Sequence, residues 1–323
     1  MAESADCIVS RMSEVRRIMS SPEWRPVVPG GMALMPDSTE PTVLLNLEGP
    51  VHRAHRQKIS DLFAPRAMPV WEATISEIAQ RALHGLPSSR FQLGESFARP
   101  LAQQCAFAFI GIEPIDSKAL AAVIGQLFSP AGTPAYQKRV GLKLIRLLQS
   151  SSRTNQDRPV LMDYMEEFPE DATITSLTML TAGTEVLARG LLACIANASA
   201  RIGPAEPSIL MTNTEIDSAI SHSEVLSTVR RVHSDTSVGS CNISLRPTQS
   251  GSLTVPIPFG WGPHYCLGAN WTRLICRTGV RILSEQLSSL TIERQIHSCD
   301  STEVVSGIVE VEAIAIPRSK ETR

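Results

Sequence analysis

Phe259-Gly-Trp-Gly-Pro-His-Tyr-Cys266-Leu-Gly268 is the segment of this chain whose residue types and spacing most readily do chemistry. Gly260 and Gly262 open backbone conformations closed to other residues and let a ligand approach the main chain. Cys266 falls where this loop meets a helical pattern, so free N–H groups and the helix dipole favour its thiolate. Gly268 leaves room for something bulky against the first turn. A lone thiolate under apolar cover suits a soft ligand toward iron. Apart from His264, two residues away, no second Cys or His lies at zinc spacing. Read in isolation, the same cysteine is equally a small buried hydrophobe beside a glycine-rich turn.

A second pair with chemical reach is His52 and Arg56, four residues apart and therefore on one helical face. Arg53, His55 and Lys58 are polar as well, so the face reads either as an anion site or as solvated basic surface.

These residues need elements to hold them. Residues 8–20 carry apolar positions at 12, 15, 18 and 19, a helical spacing. Pro26 and Pro29-Gly30-Gly31 break the chain, and Thr42 to Leu47 reads as extended or irregular. Gly49-Pro50 starts a helix with His52, His55, Ile59 and Leu62 on one stripe, and Pro65 stops it. Further helices are expected over 68–85, 96–110, from Asp116 to about 128, and over 137–149. The longest runs from about 172 to 202, with Leu177, Leu180, Thr184, Leu187, Leu191 and Ile195 in i+3/i+4 register. It is apolar enough to cross the interior. Residues 214–231 read as one more helix, 232–258 as short β-like runs, and the segment after Cys266 as a final helix. The tail from Val304 to Pro317 alternates like a hairpin. Many helices with a few late strands, and no regular βαβ alternation, exclude a doubly wound sheet.

Composition narrows the class without naming a chemistry. The chain has 323 residues, 43% apolar and 19% charged, enough for a large core. Lys plus Arg number 30 against 32 Asp plus Glu, so a sequence-wide case for nucleic acid or an anionic membrane is missing. Seven scattered cysteines without a CxxC pair point to a reducing cytoplasm. The start lacks the pattern of a secretion signal, and no apolar run reaches the ~18 residues of a membrane span.

The cysteine loop resembles the haem-binding signature of the cytochromes P450, Phe-Gly-x-Gly-x-His-x-Cys-x-Gly, at every fixed position. The resemblance implies a single, mainly α haem domain over 1–323 with a small β portion. Its cofactor would be haem b (heme b, iron protoporphyrin IX), with Cys266 as the iron ligand. Phe259 would shield the sulfur and His264 would face a haem propionate. Pro50-Val-His52-Arg-Ala-His-Arg56, followed by Phe63-Ala-Pro65, resembles the bacterial pattern in which His and Arg bind a propionate. Thr181-Ala182-Gly183-Thr184-Glu185-Val186 resembles the oxygen-side helix motif, with Ala182 and Gly183 leaving room over the haem and Glu185 as a proton relay. Arg231 resembles the later propionate-binding arginine.

The chain departs from that pattern in four places. Val186 stands where the family usually has a threonine that helps deliver protons. The nearest match to the Glu-x-x-Arg pair is Glu224…Ser227, with serine in place of arginine. Only 41 residues lie between Glu224 and Cys266, fewer than the family has. The amino end begins near the family's second helix. The fold is therefore expected to be truncated at the amino end and before the haem loop.

The resemblance implies an oxidoreductase, a monooxygenase or oxidase, tailoring a small or carrier-bound metabolite in secondary metabolism. A ferredoxin or reductase is the implied redox partner, with Arg53, Lys58 and Arg273 as a basic docking face. Val186 motivates a second expectation, haem-thiolate chemistry other than monooxygenation: a peroxygenase, isomerase, dehydratase or bond-forming catalyst. The shortened β portion motivates a third, a haem-free partner protein.

Overall fold

Ile8 and Val9 are β-branched, and they begin a strand where helical spacing was expected. Strand β1 (Ile8–Arg11) runs parallel to β5 (Ser240–Gln249), with Val9 opposite Ile243. Helix α1 (Met12–Ser20) follows and buries the expected Met12, Val15, Ile18 and Met19. The structure, a computed structural model, describes residues 8–26, 44, 47–84, 86, 90–127, 134–154, 158–164, 167, 175–176, 178–223, 228–235, 238, 240–249, 253–254, 257–297 and 308–318. The Pro29-Gly30-Gly31 break, most of the 42–47 segment and the Glu224…Ser227 pair lie outside them.

The expected helix over 214–231 is two elements. Helix α8 (Asn213–His222) opens on a capping box between Thr212 and Glu215 and ends at Ser223. Thr228–His233 is strand β4, because Thr228, Val229 and Val232 favour a pleated surface and both edges find partners. It pairs antiparallel with β5 on one side and β2 (Trp24–Pro26) on the other. The sheet order is β1-β5-β4-β2, with β6 (Leu253–Thr254) on β5. Two short strands at the amino end thus enter a sheet where the sequence pattern placed none.

The alternating tail is strand β8 (Ile308–Pro317), as expected. Its partner is β7 (Leu287–His297), which follows helix α9 (Ala269–Gln286) directly. Strand β3 (Phe91–Gln92) covers the other edge of β8.

The remaining helices match the periodicity closely. They are α2 (Gly49–Phe63), α3 (Pro69–His84), α4 (Arg99–Ile110), α5 (Ser117–Leu127) and α6 (Pro134–Ser150). Asp116 caps α5 through Ala119 N at 2.7 Å, as its residue type predicts. A single turn of 3₁₀ helix, Pro65–Ala67, follows α2 where the proline stops it.

The long apolar pattern forms a helix over Thr178–Arg201, about 36 Å at the usual rise. It is long and apolar enough to cross a membrane, but 67% of its most apolar stretch is buried inside the protein. Its regular part, α7 (Leu187–Ala198), crosses α9 at Gly279, where an added Cβ would lie 3.0 Å from Leu191 Cδ1. Two π turns interrupt the helical layer, Gly94–Ala98 before α4 and Ala182–Val186 before α7. The rings of Phe63, Trp71, Phe109 and Trp271 pack within 5.3 Å of one another in sequence around the core. A smaller apolar cluster joins α1, β5 and Ile257, and seats Met19 beneath the cysteine loop.

Candidate functional site

The cysteine loop is fastened by its own backbone. Ile257 N donates to Leu245 O at 2.9 Å, Gly260 N to Ile257 O at 2.8 Å, and Tyr265 N to Gly262 O at 3.0 Å. Cys266 N then donates to Phe259 O at 2.8 Å, which ties the cysteine to the start of its loop. Gly260 and Gly262 adopt φ +75° and +73°, the left-handed region that favours glycine. At Gly262 a Cβ would also lie 2.6 Å from Met19 O. That position accepts glycine alone.

Cys266 is exposed by surface area, yet burial by surrounding protein pushes its thiol above the ordinary range. Both hold for a sulfur that faces a recess. The Gly268 amide donates to Sγ, and Arg56 and Arg273 also favour its thiolate, but burial outweighs all three. The loop position alone therefore does not produce the thiolate expected from the sequence. A bound cation at Sγ would, because a coordinating thiol is deprotonated outright. A Cβ at Gly268 would approach Sγ only to 3.9 Å, an ordinary contact.

Three elements bring His52, Arg56, Arg231 and His264 together near this loop. His52 on α2 and His264 pack ring to ring, centroids 4.2 Å apart and planes tilted by 35°. Burial lowers both imidazoles to about 4, and the charge of Arg56 depresses each further. Arg231, on β4, is buried and close enough to His264 to oppose its protonation. Arg56 Nη2 donates to Tyr265 O at 2.6 Å, so this arginine also fastens the loop. His52 Nε2 and Arg231 Nε are buried without a hydrogen-bond partner. Orphaned donors of this kind are costly unless an acceptor meets them. Two basic donors beside a recessed thiol fit a ligand that carries both an iron and carboxylates. The donor set thus fits haem, with Cys266 toward the iron and His52 and Arg231 toward its carboxylates.

On the interior helix Ala182 is exposed, and Gly183 and Val186 are half-buried, although the helix is otherwise deeply packed. These small positions share an accessible side. Gly183 is tight, since a Cβ there would lie 3.2 Å from Met179 Cε. Thr184 is buried, and its hydroxyl donates to Leu180 O at 2.7 Å. Back-bonding of this kind loosens the i→i−4 ladder, in keeping with the π turn. Glu185 does not stand alone. Its Oε2 accepts from Arg99 Nε at 3.2 Å and its Oε1 from Arg189 Nε at 3.0 Å.

Several residues that matter here have no signature in the sequence. Glu48, which precedes α2, lies 3.1 Å from His264 Nε2 through Oε1. Asp217 on α8 takes Arg273 in a bidentate pair at 2.8 and 2.6 Å. Arg273 also sits 4.6 Å over the Phe259 ring. It was expected on a basic docking face, but its side chain is largely buried and committed to the loop. No local spacing could reveal this, because the partners are 56 residues apart. Among the described residues no group of three or more His, Cys, Asp or Glu could hold a metal, so Cys266 stands as a single thiol ligand.

No family model matches the chain. A curated relative, the vitamin D(3) 25-hydroxylase of Pseudonocardia autotrophica, is 25% identical over 318 aligned residues, covering 84% of this chain and 78% of its own length. Solved structures agree over almost the whole chain. The mycinamicin VIII C21 methyl hydroxylase MycCI of Micromonospora griseorubida superposes with a TM-score of 0.74 and 18% identity, covering 95% of this chain and 89% of its own. P450BioI, in complex with an acyl carrier protein bearing hexadec-9Z-enoic acid, gives 0.74 and 17%, covering 95% and 91%. With this fold, this order of elements and the full cysteine-loop signature, the chain belongs to the cytochromes P450.

Proposed function

We propose that the chain is a P450 oxidoreductase of one domain that tailors a small, largely apolar or carrier-bound metabolite. The observation that carries this reading is the recessed Cys266 beside two buried, unpartnered basic donors, His52 Nε2 and Arg231 Nε. Haem held there supplies oxygen activation and removal of hydrogen from an unactivated carbon. The rest falls to the protein. Cys266 ligates, the 257–268 backbone fixes the sulfur, and Arg56 and Arg273 brace the loop from both sides. The small side of the interior helix at Ala182, Gly183 and Val186 leaves space for substrate. Glu185 is the candidate group for handling protons beside that space. The relatives support the substrate class. One is named for hydroxylating vitamin D(3), one for a methyl group of mycinamicin VIII, and one is bound to an acyl carrier protein. A ferredoxin-type electron donor and a cytoplasmic setting belong to the same reading.

The reduced, carbonyl-bound spectrum tests it. A thiolate-type band that disappears in Cys266→Ser supports the assignment, and reconstituted protein that takes up no haem overturns it.

A second reading is favoured by the interior helix. Val186 has no hydroxyl, and the Thr184 hydroxyl is spent on Leu180 O. That favours haem-thiolate chemistry without reductive oxygen activation, such as peroxide use or isomerisation. Turnover without oxygen or reductant separates it from the first reading.

A further inference from the structure

The basic cluster contains one carboxylate, and its place is unexpected. Glu48 caps α2 in extended backbone, and its main-chain carbonyl accepts from His52 N at 3.3 Å. Its side chain turns back into the cluster, with Oε1 3.1 Å from His264 Nε2. A carboxylate only accepts, so Nε2 of His264 carries the proton at this contact. That nitrogen is therefore spent on the protein. What His264 offers to its neighbours is its ring face, which packs 4.2 Å from His52. The donors left without a partner are the next ones along, His52 Nε2 and Arg231 Nε.

A negative charge in a site for haem carboxylates repels the ligand. Its benefit must then be geometric. We propose that Glu48 is a positioning residue for haem binding: it fixes the His264 imidazole, which holds His52 in the orientation that presents its free Nε2 to a haem carboxylate. Glu48 and His264 act through His52 and do not themselves hold the carboxylate. The arrangement resembles the outer hydrogen bonds that set the tautomer and orientation of functional histidines. The inference rests on the haem reading above.

The sign of the effect is the test. Apo-protein is titrated with haem and with haem dimethyl ester, which lacks free carboxylates, and haem release to a scavenger protein is timed. In Glu48→Ala, haem should be released about tenfold faster, the usual size of such outer-contact losses. The preference for haem over its dimethyl ester should shrink with it. Glu48→Gln keeps an acceptor for His264 Nε2 without the charge, so it should stay close to the wild type in both measures. Slower release from both variants would mean that Glu48 only repels, and would overturn the proposal. So would equal loss in both variants, or an unchanged preference for haem over the ester in Glu48→Ala. Wild-type protein that binds no haem overturns the family reading and this proposal together, whereas the other outcomes strike the Glu48 role alone.

Discussion

Arg99 holds Glu185 to the far end of the chain. Its Nε lies 3.2 Å from Glu185 Oε2, its Nη1 3.0 Å from Glu310 Oε2, and its Nη2 donates to Val309 O at 2.8 Å. Glu310 in turn accepts from the Gly94 and Glu95 amides at the start of a π turn. Gly94 has to be small, since a Cβ there would run into the Glu310 carboxylate. One guanidinium thus joins both π turns to the terminal hairpin.

Arg99→Leu should therefore destabilise the fold by about 1–3 kcal/mol, above an exposed pair and below a fully buried one. Urea unfolding checks this. Glu310→Gln should cost a similar amount, and the double variant should cost less than the sum. Full additivity would show that the two residues do not interact.

Gly262→Ala should fail more severely than Gly268→Ala. The left-handed backbone alone costs about 1–2 kcal/mol for alanine, and the new Cβ meets the Met19 carbonyl. At Gly268 φ is −81° and the nearest atom is Cys266 Sγ at 3.9 Å, so the fold should tolerate the methyl. The yield of folded protein and its unfolding midpoint separate the two. Equal midpoints would contradict the steric account.

The haem-free protein should lose stability as pH falls from about 6.5 toward 4. Burial holds His52 at about 4, against 6.5 unfolded. Between those values the unfolded chain binds more protons than the folded one, so stability falls with falling pH. The contribution is fully present above about 6.5 and spent below about 4. One such group is worth about 3 kcal/mol across that window. His264 is shifted in the same direction. His52→Phe should flatten the pH dependence of the urea midpoint; an unchanged slope would exclude His52 as its source.

Val186→Thr should raise the yield of product per NAD(P)H, and the wild type should couple poorly or prefer peroxide. The substitution adds a hydroxyl at near-constant size. Product formed per reductant and per peroxide measures it. Tight coupling in the wild type with reductant alone would show that no alcohol is needed at this position.

The site was legible where chemistry follows local spacing. The Cys266 loop, the His52–Arg56 face and the small Ala182-Gly183 pair all depend on residues a few positions apart, and periodicity placed their helices well. What sequence could not reveal was pairing across the chain. Glu48 meets His264 over 216 residues, Arg99 meets Glu310 over 211, and Arg273 meets Asp217 over 56. Glu185 read as an isolated acid because both its arginines come into view only in three dimensions, although Arg189 is a single turn away. The helix expected over 214–231 failed for a related reason. Its second half is β-branched and finds strands to pair with on both edges, which outweighs any helical periodicity.

The reach of Glu310 also orders events during synthesis. The carboxylate that seats the 94–98 turn and steadies Arg99 is translated more than two hundred residues after them. The interior helix can form as its own stretch leaves the ribosome, but its acid gains its full set of partners only when the last strand arrives. A chain stalled or clipped before residue 308 would hold every haem-loop residue and still lack the strand that anchors this network.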